Sequence, residues 1–467
     1  MIGRTLSLLV PLILVIYFGA RARRSPVFLL GVLAILFMGR SAFIDTYAWS
    51  RTLLGWTIEI GDVMLVGLVV LWLYIREVRP NHKPMRIGVE SLLFIAVIIL
   101  CCVEVASTLA GGSELPATLR ASRRFVYPAI GYFVWYDILR RFTAQEVVSF
   151  LQSLVTVAVG LTVLYCAQAL GVVVYPYAGN SVVTGGGSSY VRDFLTFSPF
   201  AGLALAYFLS HPQARWRWVV GMAVTCAGFI LTFTRSWIAS ALLATSIAVV
   251  FFSTRRGRRR WRAATIVGIG FSVAVGVAGV YALSSGSVEA IGARFTEARS
   301  GGLASPNLKA RYQATQQIAE VLYEHGAIIL GGGFIPYGTV PSYMRLNVVG
   351  FNWGDSVWSG VLAYTGAAGT ALFACLLFVS LVLSLRLSAR ERGNNRLGLM
   401  LALVFAQMIV VSFFGDSYLA YGVMPGMFFA CLTVARSSLW LETATATRNV
   451  GEIAGWDSRR PRRADSA

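Results

Sequence analysis

The chain is expected to be an all-α integral membrane protein of about 12–13 transmembrane helices, with one large outer loop that contains a short helix. Three observations predict this. Apolar residues fill 57% of its 467 positions and charged ones only 13%, against about 25% charged in soluble domains. Apolar runs of span length, roughly 17–25 residues, recur along the chain. Basic residues gather in alternate connections between those runs.

The runs are 5–20, 26–39, 57–75, 88–110, 124–139, 147–175, 193–210, 217–234, 236–253, 264–284, 357–385, 397–414 and 418–435. The first lacks a small-residue cleavage site and another apolar run follows at once, so it reads as a span and not as a signal peptide. Four units follow: an N-terminal transmembrane bundle over 1–284, a large outer loop over 285–354, C-terminal transmembrane helices over 355–437, and a basic cytoplasmic tail over 438–467 read as disordered.

With Arg21–Arg24 in the cytoplasm and the spans alternating from there, roughly 27 of the 40 Lys and Arg fall on the cytoplasmic side. They include Arg76, Arg79, Lys83 and Arg86, the run Arg255 to Arg262, and Arg459, Arg460, Arg462 and Arg463 in the tail. In a soluble protein a net charge of +19 would point to nucleic acid; here it reports topology and attraction to anionic lipid, and no nucleic-acid partner is expected.

About 13 basic residues remain outside, where the rule disfavours them. Arg120, Arg123 and Arg124 sit where a loop enters a span, and Arg192 lies just before one. Arg235 stands between two apolar runs, in Thr232-Phe-Thr-Arg-Ser-Trp237. Arg294, Arg299, Lys309 and Arg311 belong to the long loop. Such arginines either snorkel to the interface or line a cavity. Several around one cavity suit phosphate or pyrophosphate, because the guanidinium fork bonds phosphate oxygens in pairs.

Within the loop, Ser284–Pro306 is rich in Gly, Ser and Ala and reads as flexible. The spacing of Leu308, Tyr312, Ala319, Leu322 and Tyr323 predicts a helix over 308–324 with those residues on one face. Gly331–Gly333 then allows a tight turn or a close backbone approach to a ligand. Asp355, at the mouth of the next span, is either a helix N-cap or a base that orients an acceptor or an arginine. The six cysteines lie inside apolar runs and read as packing residues; the three histidines are far apart and form no ligand cluster.

Taken in order, these segments resemble the O-antigen ligase and O-antigen polymerase superfamily, bacterial membrane glycosyltransferases that act on undecaprenyl-diphosphate-linked glycans. Thr-Phe-Thr-Arg235-Ser-Trp looks like the family's Thr/Ser-Arg element before a span. The single large late loop carries Arg311, a helix and Gly331–Gly333, similar to the family's arginine, helix and GxG order. Asp355-Ser-Val-Trp to Gly366-Ala-Ala-Gly369 resembles its His/Asp-Asn segment that ends in Gly-x-x-Gly, and Arg192 with Phe194 and Pro199 is similar to the segment before its middle spans. The likeness covers roughly 190–435. The ligases carry histidine where this chain has Asp355, and the usual asparagine is Ser356 here, which looks more like the polymerase side.

The resemblance implies a GT-C-like enzyme of the bacterial inner membrane with its site facing the periplasm. It would polymerise lipid-linked repeat units by inverting transfer with no metal or other cofactor. Asp355, Arg235 and Arg311 are the implied catalytic residues. Arg192, Arg120, Arg123, Arg124, Arg294, Tyr312 and Ser356 are the implied contacts to diphosphate and glycan. The expected partners are an undecaprenyl-diphosphate-linked oligosaccharide donor, a glycan acceptor, the bilayer, and a chain-length regulator or flippase. Two alternatives stay open: a ligase that transfers the glycan to a lipid or other acceptor, and a flippase or transporter of lipid-linked glycan. Against the second, no half-to-half repeat is visible and a long ordered loop is atypical of transporters.

Overall fold

The computed structural model describes residues 51–53, 56–58, 60–80, 87–169, 182–185, 188–191, 194–211, 216–231, 235–254, 270, 306–334, 357–391, 396–413 and 423–437. The expected spans 5–20 and 26–39, nearly all of 264–284, and the tail 438–467 lie outside them.

The described chain is dominantly helical. In order it forms α1 (Ile60–Val78), α2 (Val89–Ala110), α3 (Leu115–Leu139), α4 (Ala144–Ala169), α5 (Phe194–Ser210), α6 (Trp216–Leu231), α7 (Arg235–Thr254), α8 (Pro306–Glu324), α9 (Val357–Arg390) and α10 (Leu397–Ser412). A last helix, α11, covers 424–437. Two short antiparallel hairpins lie in connections: Arg51–Leu53 pairs with Trp56–Ile58, and Val182–Gly185 with Ser188–Val191.

Apolar runs and helices coincide, because an apolar segment satisfies its backbone most cheaply as a helix. The largest difference is α3. It begins at Leu115 and not near 124, with Glu114 at the N-cap and a proline in the first turn. Arg120, Arg123 and Arg124 therefore sit on a helix and not in a loop. Polar residues over 115–124 hid this extension from a hydropathy reading.

The bundle centres on α10, nearly all of whose residues are buried. It packs against α9, α7 and α5, and Gln407 Nε2 reaches across to the Gly202 carbonyl at 3.0 Å. A helix that is apolar all round belongs in such a place. The peripheral helices differ: they bury one apolar stripe and expose another. The exposed residues are Val66, Val70 and Leu73 on α1, Leu92, Ile95, Ile99 and Val103 on α2, and Phe378, Val382 and Leu385 on α9. By length and composition α2 (22 residues) and α9 (34 residues) suffice to cross a membrane.

Ionic contacts gather at the helix ends. Where α1 ends, Arg79 meets Glu146 at 2.9 Å, and Asp137 receives Trp72 Nε1 at 2.7 Å together with Arg140 and Arg141. Arg436 pairs with Glu90 at 2.7 Å, and Arg396 donates to the Ser210 carbonyl at 3.1 Å. Where α1 begins, Asp62 pairs with Arg123 at 2.8 Å and accepts from Tyr127.

Candidate functional site

The site is built around a break in α9. At Gly366 the backbone turns to φ 60°, ψ −159°, a conformation open only to glycine. A continuous helix would bond the amides of residues 367 and 368 to the carbonyls of 363 and 364. Instead, Ala367 N and Ala368 N bond the carbonyls of Ile328 and Ile329 at 2.8 and 3.0 Å, while Gly332 N and Gly333 N bond those of Ala363 and Tyr364 at 2.8 and 3.2 Å. The segment after α8 thus slots into the break, and four bonds replace the two that the helix gives up. Side chains would prevent the insertion: a Cβ on Gly331 would lie 2.5 Å from Gly366 N and 2.6 Å from Thr365 N.

The same insertion ties α8 to α9. Ala314, Ile318 and Leu322 are buried, with Leu362 and Ala363 packed against the latter two. Thr315 Oγ1 meets Ser359 Oγ at 2.9 Å. The buried face corrects the expected one, since Tyr312 and Tyr323 are 66% and 76% exposed. Small and aliphatic side chains fit beside α9 where the tyrosines would not, and the register follows 314, 318, 321 and 322.

On the other side of the insertion stand α2 and α3. Phe334 N donates to Thr108 Oγ1 at 2.9 Å, and that hydroxyl donates to the Glu104 carbonyl at 2.6 Å. The Phe334 ring is fully buried between Phe125 and Tyr364, with centroids at 5.4 and 5.9 Å. One turn before Thr108, Glu104 is only 2% exposed. Its Oε1 has no hydrogen-bond partner among the described residues. An apolar pocket elsewhere in the bundle is bounded by Val97, Cys101, Phe125, Thr365, Phe373 and Phe429.

The expected site residues divide as follows. Arg311 lies in α8 and Arg235 is the first residue of α7, both with side chains outside the described residues. Arg192, Arg294, Asp355 and Ser356 also lie outside them. Arg123 is half-buried and engaged with Asp62, whereas Arg120 and Arg124 are exposed on the same helix. Tyr312 accepts a bond from Gln316 Nε2 at 3.1 Å. The break at Gly366 and the buried Glu104 were not anticipated. The signal for Glu104 was a carboxylate inside an otherwise apolar run. Among the described residues no three His, Cys, Asp or Glu side chains come together as a metal-ligand set. The chain matches no family model and no curated protein.

Proposed function

We propose that this protein is a multi-pass glycosyltransferase of the bacterial cytoplasmic membrane that polymerises undecaprenyl-diphosphate-linked oligosaccharide repeat units at the periplasmic face. A bilayer around the bundle is supported by the exposed apolar stripes of α1, α2 and α9, which water would penalise. In this orientation the ends carrying Arg79, Arg141, Glu146, Arg396 and Arg436 face the cytoplasm, as the distribution of basic residues favours.

The observation that carries the reading is the insertion of Gly331–Gly333 into the break of α9. It fastens α8, which bears Arg311, to α9, which begins two residues after Asp355. Segments that resemble separate family motifs thereby share one end of the bundle. The arginine-bearing start of α3 is linked to the same insertion through Phe125 and Phe334.

In the proposed reaction Arg235 and Arg311, with Arg192 and Arg124, hold the diphosphate of the donor and balance the charge it gains on leaving. Asp355 accepts the proton of an acceptor sugar hydroxyl. That oxygen bonds to the anomeric carbon from the face opposite the leaving group. The carbon–oxygen bond to the diphosphate breaks, its electron pair departs with the diphosphate, and the anomeric centre inverts. Protein cations take the charge-balancing role, as the family resemblance implies.

The test is incubation of purified protein with a lipid-linked repeat unit without divalent metal, with products resolved by length. A ladder is expected for the native chain, and a loss of about a hundredfold or more for Arg235→Ala and Asp355→Asn. Full activity in Asp355→Asn would remove that residue from proton transfer. Transfer only to a separately supplied acceptor would make the enzyme a ligase. Unchanged substrate with every donor would overturn the reading in favour of transport.

A further inference from the structure

α8 and α9 run parallel, because their contacts advance together. Thr315 meets Ser359, then Ile318 and Leu322 meet Leu362 and Ala363, and then the carbonyls of Ile328 and Ile329 take the amides of Ala367 and Ala368. The backbone bonds of the insertion secure this pair beyond the end of α8 at Glu324. Thr315 lies roughly 14 Å back along the helix from that end, towards Arg311.

There the contact between the two helices is polar. Thr315 Oγ1 and Ser359 Oγ stand 2.9 Å apart, and Ser359 is only 1% exposed. The apolar contacts of Ile318, Leu322, Leu362 and Ala363 would tolerate a shift by one turn, since apolar ridges fit successive grooves alike. The hydroxyls would not. Shifted one turn one way, Ser359 would face position 319, an alanine, and its buried hydroxyl would lose its partner on α8. Shifted the other way, it would face position 311, the arginine itself. One register alone pairs the two hydroxyls, much as a single buried polar contact fixes register in a coiled coil.

Arg311 stands four residues before Thr315, and Asp355 four residues before Ser359. We propose that Thr315 and Ser359 are positioning residues. Their bond fixes the register of α8 on α9, and with it the place of Arg311 relative to the start of α9, two residues after Asp355 in sequence. The roles of Arg311 and Asp355 rest on the transferase reading; the register does not.

The test measures rates with the full chain and a lipid-linked repeat unit. Thr315→Val, which keeps the shape of the side chain and loses the hydroxyl, should lower kcat about tenfold with KM for the donor nearly unchanged. Thr315→Ser, which keeps the hydroxyl, should recover most of that loss. A cysteine-free chain carrying Thr315→Cys and Ser359→Cys offers a covalent form of the same contact. Diamide should close a disulfide between them, and closure should restore the kcat that the dithiol form has lost. A merely structural pair would lower the yield of folded protein and leave the kcat of the remainder as it was. Native kcat in Thr315→Val would overturn the proposal, as would a disulfide that forms and slows the enzyme further. Failure of the disulfide to form would overturn the register itself. A native chain that makes no ladder would refute the transferase reading instead, and the yield of disulfide would then decide the register alone.

Discussion

Gly366 shows how much a single position decides here. An alanine at Gly366 would hold a positive φ that its Cβ resists and would press on the Ile329 carbonyl. Gly366→Ala should lower the thermal stability of the purified protein by an amount on the order of 1–3 kcal/mol. Gly369→Ala, which disturbs helix packing but not the inserted segment, should leave hydrogen exchange at residues 331–333 slow, whereas Gly366→Ala should speed it. Equal exchange in the two variants would count against the break as the anchor of that segment. Both glycines were visible beforehand as motifs. The joining of Gly366 to the Gly331–Gly333 segment was not, because a backbone ladder between residues 31 and 39 positions apart leaves no periodicity in either segment.

At the scale of elements, helix positions were legible from apolar runs because burial and span length act on composition alone. Partnerships were less so. The start of α3 was missed because its first turns are polar, and the pairing of Arg123 with Asp62 joins two helices across intervening chain. The buried face of α8 was misread by giving weight to tyrosines that point outward. The connection between α5 and α6 offers a pH test. Burial, reinforced by the Arg396 guanidinium, pushes the His211 imidazole down to about 4. The ring lies on Tyr207 at 4.9 Å and meets Ser210 Oγ at 2.8 Å. The unfolded chain takes up this proton near its ordinary value of about 6.5, while the folded chain resists it to a lower pH. Stability should therefore be full above pH about 6.5, fall as pH drops towards about 4, and level off below that. His211→Asn should flatten this slope in melting temperatures measured across the range.

For the whole molecule the prediction concerns sides. If the bundle crosses a bilayer as proposed, the exposed end of α8 and the last turn of α9 lie on opposite faces. In a cysteine-free background, Tyr323→Cys should react in intact cells with a thiol reagent that cannot cross the membrane, and Arg390→Cys should react only after the cells are opened. Reaction of both in intact cells would refute the orientation. Labelling of Arg390→Cys alone would invert it. The helical class of the described residues and the two span-length helices α2 and α9 were readable because hydropathy is a property of long segments. The mutual arrangement of α2, α3, α8 and α9 was not, because it rests on hydrogen bonds and close glycine contacts that composition does not encode.

The insertion into α9 also has a consequence in polymer terms. Gly333 is bonded to Tyr364, seven residues along α9 from its start at Val357, so the two described residues that flank 335–356 stand roughly 10 Å apart. The clamp fixes these two ends of the described chain relative to each other, whatever the number of residues between them. Doubling the length of such a connection adds only about 0.6 kcal/mol of closure entropy. Upstream of Asp355, residues can therefore be gained or lost between the two ends, or a tag inserted, with the packing of α8 on α9 unchanged.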